Sequence, residues 1–344
     1  QETGYLNVAL FGLDSREGDL GKGNRSDTMM IASLNKATGE VKLVSVYRDT
    51  LLELDDGSYN KANAAYAFGG PEGAISMINR SMDMDISKYV AVNFNALVDV
   101  IDALGGLDIT LTDAEVVHMN NYCVETSKVT GADYTKIEPE VAGTYHLNGV
   151  QAVSYSRIRY TGGGDFERTS RQRHVLELIA EKAQSASFST LNKIIDKVFP
   201  QVSTNFTITE MIAYAKDIAK YKLGDSMGFP DNNSFDMLDV VGSVVIPETL
   251  TSNVEDVHKF LFGDDGYTIS SNITDIEAGI REKCTHKATS DSVIESDDDY
   301  GSGSGTSNDY SNSGSSNSNY NNSYNNSYNN SGSSSGTGSG SGTG

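Results

Sequence analysis

Five arginines, Arg157, Arg159, Arg168, Arg171 and Arg173, fall in one short stretch between Tyr155 and His174. The chain around them is acidic, with 26 Lys+Arg against 47 Asp+Glu and a formal net charge of -21. Solubility alone does not concentrate guanidinium groups in this way. An arginine side chain is a planar, permanently charged fork that meets phosphate oxygens two at a time. The chemistry to expect is binding of a highly charged phosphate group, a pyrophosphate before others. Arg168, Arg171 and Gln172 are spaced i, i+3, i+4. That spacing puts them on one face in the first turn of a helix, where free backbone N–H groups and the helix dipole also favour anions. The glycines Gly162, Gly163 and Gly164 just before them let backbone approach closely. Arg173 is expected to point away, toward the surface.

Three smaller clusters have the same character: Asp14 and Arg16 in GLDSR, Arg25 and Asp27 in NRSDT, and Arg48 and Asp49 in YRDT. Taken singly, Asp14 and Asp27 read as turn or cap residues. Together they offer two carboxylates beside several arginines, and Mg²⁺ typically takes one or two carboxylates and completes its shell with water and phosphate oxygens. Arg48 follows the buried-looking run VKLVSVY, which aims it at a pocket. The five histidines, His118, His146, His174, His258 and His286, show no paired spacing and no evident acid partner. No Walker A motif, nucleophile elbow or dinucleotide fingerprint is present.

These clusters need strands to end where they stand. Tyr5-LNVALFGLD, Asp27-TMMIASLN and Glu40-VKLVSVYR are apolar and β-rich, and Asn35-KATGE between the last two is a hairpin turn. If the first and third strands run parallel and the second antiparallel, all three clusters meet at one edge of the sheet, where open α/β sheets bind ligands. Helical patterns cover Lys61 to Phe68 and the segment from Pro71; Asn95 is expected to cap a helix that Gly105 and Gly106 end. Leu107-DITL is a further strand, and residues 113–145 look polar and irregular, an excursion or lid. Helices are expected over Gly149-VQAVSYSR, from Arg168 with Val175, Leu178 and Ile179 inward, and near 189–198 and 207–222, with a late strand at Val240-VGSVVIP. This alternation predicts an α/β fold, an α/β/α sandwich with a central mixed β-sheet flanked by helices.

The acidic balance argues against nucleic acid, which requires a basic footprint. No apolar run reaches the ~18 residues of a membrane span. Residues 290–344 turn acidic and then collapse into Ser, Gly, Asn and Tyr, with no apolar face to offset ordering entropy, so a disordered tail is expected after a domain over residues 1–289. The two cysteines, Cys123 and Cys284, are either a disulfide or two buried thiols, with the disulfide slightly favoured, and lack metal-site spacing.

The pieces GLDSR, NRSDTMM, LVSVYRDT, NFNALVDVIDALGGLDI, LNGVQAVSYSRIR and FERTSRQR, in this order over about residues 5–186, resemble the LytR–CpsA–Psr family. The resemblance implies a cell-envelope phosphotransferase. Such an enzyme moves a glycopolymer, a teichoic acid or capsule chain, from a polyprenyl-pyrophosphate carrier to peptidoglycan on the outer face of Gram-positive bacteria. It implies a membrane anchor ahead of Gln1, consistent with a chain that does not begin with Met. By the family's pattern Asp14 and Asp27 ligate Mg²⁺. Arg25, Arg48, Arg157, Arg159, Arg168 and Arg171, with Gln172, hold the phosphates. Arg48 is catalytic, with Asp27 beside it, and Asp49 or Asp165 orients the arginines. It also implies an apolar tunnel for the prenyl chain, with candidate lining at Met77, Ile78, Val92, Phe94, Leu97, Val98, Ile101, Val175, Leu178 and Ile179. A pyrophosphatase acting on the same lipid, or a non-catalytic binder of anionic lipids or wall polymers, are the alternatives.

Overall fold

The computed structural model describes residues 4–15, 20–160, 164–263 and 266–284, with backbone alone at Gly164 and Asp165. These residues fall in one compact unit. The expected tail, Arg16, His286, most of the triple-glycine turn and the Asp165 side chain lie outside the described residues.

The strands are β1 (Tyr5–Leu13), β2 (Ser26–Asn35), β3 (Glu40–Val46), β4 (Leu51–Glu53), β5 (Tyr59–Lys61), β6 (Lys88–Val92), β7 (Leu107–Leu111), β8 (Gly143–Leu147), β9 (Ser203–Thr204), β10 (Lys222–Phe229), β11 (Asn233–Leu238) and β12 (Gly242–Pro247). The helices are α1 (Ala62–Met82), α2 (Phe94–Ala103), α3 (Asp113–Thr130), α4 (Gly149–Ser156), α5 (Gly164–Ser185), α6 (Phe188–Val198), α7 (Ile208–Lys216), α8 (Leu250–Phe262) and α9 (Ser271–Lys283). A central mixed sheet runs β10-β3-β2-β1-β6-β9, and three two-stranded ladders pair β4 with β5, β7 with β8 and β11 with β12. β2 is antiparallel to both β1 and β3, so β1 and β3 are parallel and their carboxyl ends share an edge, as expected. β6 and β10 run parallel to β1 and β3.

The two faces of this sheet differ. Ala9, Phe11 and Leu13 of β1, with Met29, Ile31, Val44 and Val46, are buried in a core closed by α1, α8 and α9. The alternate residues of β1, Leu6, Val8 and Leu10, are equally apolar but only half-buried, as are Val90 and Val92 of β6. A second core forms among α2, α3, α4, α5 and the β7–β8 ladder, and it contains no residue of the central sheet. Met30 and Leu43 are buried on the sheet's second face yet join neither core. Interiors ordinarily pack to crystal density, yet the half-buried apolar residues of this face, which also carries Thr28, Ser45 and Lys88, join neither core.

Several expectations change locally. The helix after β6 is capped by Asn93, whose side chain accepts from the Ala96 amide; Asn95 is exposed at the second helical position. Residues 113–130 are not a lid but the helix α3, started by a capping box in which Thr112 and Glu115 bond reciprocally. Its inward face mixes Val116, Met119 and Cys123 with the polar Asn120 and Thr126, which hid the helical period. The segment 207–222 ends its helix at Lys216, and Lys222 already opens β10, an edge strand the sequence reading did not anticipate. Cys123 and Cys284 are not bonded: the first is buried in the second core, whereas the second packs against the first core. Burial pushes each thiol up to about 11, leaving neither a ready thiolate.

Candidate phosphate site

At the shared strand edge β1 pairs with β2 through an irregularity. Gly12 faces Thr28 and Leu13 faces Ser26, so Asp27 is the extra residue of a bulge. Bulges re-aim side chains beside functional sites. Three arginines converge on this residue. Arg48, two residues past the end of β3, donates from Nη1 to Asp27 Oδ1 at 2.9 Å. Arg159 reaches Oδ2 at 3.7 Å, and Arg168, 2 % exposed, donates from Nη2 to the Asp27 carbonyl at 3.3 Å. Asp49 lies 3.4 Å from Arg48 Nε and 3.1 Å from Lys61 Nζ, which fixes the guanidinium from its other side. Lys61 is a member of this network that the sequence reading passed over; it sits on a short strand with no cluster around it.

Burial works to raise the Asp27 carboxyl, but Arg168, Arg48 and Arg159 outweigh it and hold the group below its ordinary value of 3.8. The sign follows from linkage. A carboxyl depressed in the folded state adds stability that is present above its unfolded value, ~3.9, and is lost as pH falls through the folded value. Asp27→Asn is therefore expected to flatten the fall in unfolding free energy below about pH 4. Denaturant melts of both proteins through the acid range check this; superimposable curves would remove Asp27 from the acid response.

The other predicted ligands divide. Arg157 is turned toward α3, where it bonds Glu125 and Thr126 Oγ1, each at 2.9 Å, and stacks over Phe94 and Tyr122. Arg171 does not present its fork to an anion. Its Nε donates to Glu115 at 2.9 Å, Nη2 to Glu167 at 2.9 Å and Nη1 to the Ile158 carbonyl at 3.2 Å. The i, i+3 spacing placed it near Arg168, but Glu115, supplied by the unanticipated α3, claims it. Asp14 and Arg25 are exposed and Gln172 is half-buried at this edge. Arg173 is half-buried rather than on the surface, with Nη1 enclosed. Among the histidines, His146 does have an acid partner, Asp108 at 2.7 Å, on the exposed β7–β8 ladder.

Two aromatic features were missed. Tyr122 feels Arg159, Arg157 and Arg168 at once, yet burial and Tyr160 push its hydroxyl above 10.0, so it stays protonated as a donor beside them. Tyr47 meets Phe166 edge-on at 4.5 Å and passes so close to Gly228 that a Cβ there would overlap its hydroxyl. A glycine beneath an aromatic ring was the available signal. Of the expected tunnel lining, Met77 and Ile78 are fully buried in the first core, on the opposite side of the sheet, and are removed from that list. They lie there because α1 covers the face bearing Phe11. Val98, Ile101 and Val175 are buried in the second core, with Phe94, Leu97, Leu178 and Ile179 half-buried at its border and Val92 half-buried on the sheet. Val8 and Leu10, half-buried on the same face as Val92, are legible in the sequence as apolar residues on both parities of β1.

The donor set suits a hard cation. Asp14 is an exposed carboxylate directly after β1, and Asp27 keeps lone pairs beyond those its arginines occupy. Among the described residues no group of three or more His, Cys, Asp or Glu side chains gathers, so any cation here needs oxygens from a ligand.

The family model described as LytR_cpsA_psr family matches residues 1–237. A Bacillus cereus (strain AH820) protein, "Polyisoprenyl-teichoic acid--peptidoglycan teichoic acid transferase TagU", is 33% identical over 217 residues, covering 62% of this chain and 64% of that one. The chain thus spans slightly less than two thirds of that relative's length. Among solved structures, "TagT bound to LI-WTA" superposes with a TM-score of 0.60 at 22% identity, over 77% of this chain and 92% of that one. Bacillus subtilis TagV gives a TM-score of 0.58 at 26% identity, over 78% and 100%. Both share the central mixed sheet flanked by helices.

Proposed function

The chain belongs to the LytR–CpsA–Psr family, and from that membership we propose that it transfers a glycopolymer from a polyprenyl-pyrophosphate carrier to peptidoglycan through a phosphodiester. The observation that carries the reading is the convergence of Arg48, Arg159 and Arg168 on one bulge carboxylate; the sheet face beside it, whose half-buried apolar residues join neither core, is the cleft we assign to the prenyl chain. The name of the B. cereus relative, a polyisoprenyl-teichoic acid–peptidoglycan teichoic acid transferase, and the LI-WTA bound to TagT support it and make a teichoic acid the first polymer to test.

Arg48, Arg159 and Arg168 bind the two phosphates and oppose the charge that grows on the leaving prenyl phosphate. Positioned electrostatics of this kind supply most of the catalysis in phosphoryl transfer. A sugar hydroxyl of the acceptor forms the new P–O bond, and the prenyl phosphate departs with the electron pair of the old one and takes up the hydroxyl's proton. Asp27, held ionised by its neighbours, is a weak proton acceptor; it orients the guanidinium forks, as Asp49 does from behind Arg48. Asp14 and Asp27 would hold Mg²⁺, which when bound supplies further charge neutralisation on the pyrophosphate. Arg25 and Gln172, at the rim, extend the phosphate site, and Tyr122 donates from the α3 side. The cleft takes the prenyl chain, each buried CH₂ of which contributes ~0.8 kcal/mol. Among the described residues no helix is long and apolar enough to cross a membrane; the reaction belongs at the outer membrane surface, next to the wall.

The test incubates the protein with a polyprenyl-pyrophosphate teichoic acid precursor and a peptidoglycan oligomer, and weighs the products. A polymer–peptidoglycan conjugate is the expected result; free polymer phosphate would instead identify a pyrophosphatase. In a second arm Leu10→Trp narrows the cleft. Turnover of the long-chain carrier should fall about tenfold or more, the worth of two or three lost CH₂ contacts, while a short-prenyl analogue is handled as before. Equal loss on both would mean that the chain does not lie there.

A further inference from the structure

The end of the sheet opposite the arginines carries a surface of a different kind. β1, β3, β6 and β10 all begin there, and α7 is fastened across it. Asn205, just before α7, donates to the Ser87 carbonyl at 2.6 Å and accepts from the Tyr89 amide, and Lys88 reaches Glu210 of α7 at 2.9 Å. At its other end the chain leaves α7 for β10 with the Lys222 amide on the Gly39 carbonyl.

α7 reads ITEMIAYAK and has no buried residue. Ile208 is 40% exposed and Phe188, at the start of α6, 44%, while Tyr214, 36% exposed, is edge-on to Phe206 at 5.9 Å. Lys216 lies over the Phe188 ring at 5.9 Å, which joins the two helices into one patch. Monomeric proteins rarely leave clustered large apolar side chains in water without use.

The charge around the patch runs against the rest of the molecule. From residue 187 to 222 there are five lysines, at 193, 197, 216, 220 and 222, against three carboxylates, Asp196, Glu210 and Asp217, in a chain that elsewhere has a large acidic excess. Glu210 and Asp217 are each closed by a lysine, Lys88 at 2.9 Å and Lys220 at 2.7 Å, and Lys197 is paired with Asp99 at 2.9 Å, which leaves Lys193, Lys216 and Lys222. Lys193, Lys222 and, on the neighbouring β2–β3 turn, Lys36 are exposed. Exposed aliphatic and aromatic side chains bordered by lysines are the composition of a helix that lies in a bilayer interface, with the apolar groups among the acyl chains and the ammonium groups among anionic headgroups.

We propose that α7 and the start of α6 form a docking surface for an anionic phospholipid bilayer. The bilayer then meets the amino end of the sheet, where the half-buried Leu6 and Val8 begin the apolar face assigned above to the prenyl chain. A prenyl chain passes from the membrane into that cleft while its pyrophosphate goes to the arginines at the far end. This last step rests on the transfer reading above; the docking itself rests only on the patch.

Vesicle co-sedimentation of the chain separates the two. Vesicles of equal parts phosphatidylglycerol and phosphatidylcholine should bind it, and phosphatidylcholine alone should bind it several-fold less. Raised salt should weaken the binding, as expected for headgroup attraction. Lys216→Glu with Lys222→Glu should lower the bound fraction at least tenfold, since each surface lysine is worth ~1 kcal/mol against anionic lipid. Phe188→Ser with Ile208→Ser should lower binding to a similar extent. Neither pair should change the melting temperature or turnover of a short-prenyl substrate that needs no membrane. Vesicle binding that ignores both pairs, or no preference for the anionic lipid, would overturn the proposal. So would a patch that instead holds a second copy of the chain, seen as a fall in sedimenting mass when the apolar pair is replaced. Loss of transfer activity with vesicle binding intact would count against the transfer reading alone.

Discussion

Arg48→Ala is expected to reduce glycopolymer transfer by about 10³-fold or more, the scale on which arginines that meet transition-state charge act in phosphoryl transfer. The folded protein should survive the change. Arg48 is part-exposed and anchored by its own backbone, whose carbonyl accepts from the Asn63 amide at 3.0 Å, so the strand end holds its course without the side chain. Arg48→Lys should recover little. The guanidinium spans Asp27 on one nitrogen and Asp49 on another, and a single ammonium cannot do both while facing a phosphate. Single-turnover rates on a lipid-linked precursor, read beside melting curves, are the check. If the Lys variant works at the wild-type rate, charge alone is needed at this position.

Arg171→Ala should give the converse result, a large loss of stability. Its guanidinium is 9% exposed and the Glu115 carboxylate 12%, and each of its three nitrogens donates to a protein oxygen. Removing one partner of a buried ion pair costs about 3–5 kcal/mol, because the other charge is left without compensation. For a domain of this size that lowers the melting temperature by roughly 10 °C. Glu115 also closes the capping box of α3, so the damage should spread to that helix. The double change Arg171→Met with Glu115→Gln should restore part of the loss, since it removes both charges at once. A single Ala variant that melts normally but loses transfer would return Arg171 to the phosphate site.

These two outcomes mark how far the sequence carries. The strands that end at Leu13 and Val46, the turn at Asn35 and the helix after the glycines are legible because apolar alternation and turn residues are local signals. The family motifs are equally legible, since they are runs of residue types in order. α3 was not. Its inward face uses Asn120 and Thr126, whose polar atoms bond to the Ile137 and Tyr122 carbonyls, so the buried stripe is not an apolar one. β10 was missed because its pairing with β3 joins residues almost two hundred positions apart.

The sequence by itself determined that this chain concentrates guanidinium groups, sets carboxylates at strand ends and belongs with a family of cell-envelope proteins. Those are properties of residue type and order. Only the tertiary structure decided which arginines remain for a ligand. Arg157 and Arg159 are two residues apart and chemically identical, yet one is bonded to Glu125 and stacked on Phe94, while the other faces Asp27. Arg168 and Arg171 share a helix face, yet one closes on the bulge and the other on Glu115. A guanidinium's role is set by the nearest unclaimed oxygen, and which oxygens are near depends on how α3 packs against α4 and α5, a matter of distances across the fold that no spacing along the chain records.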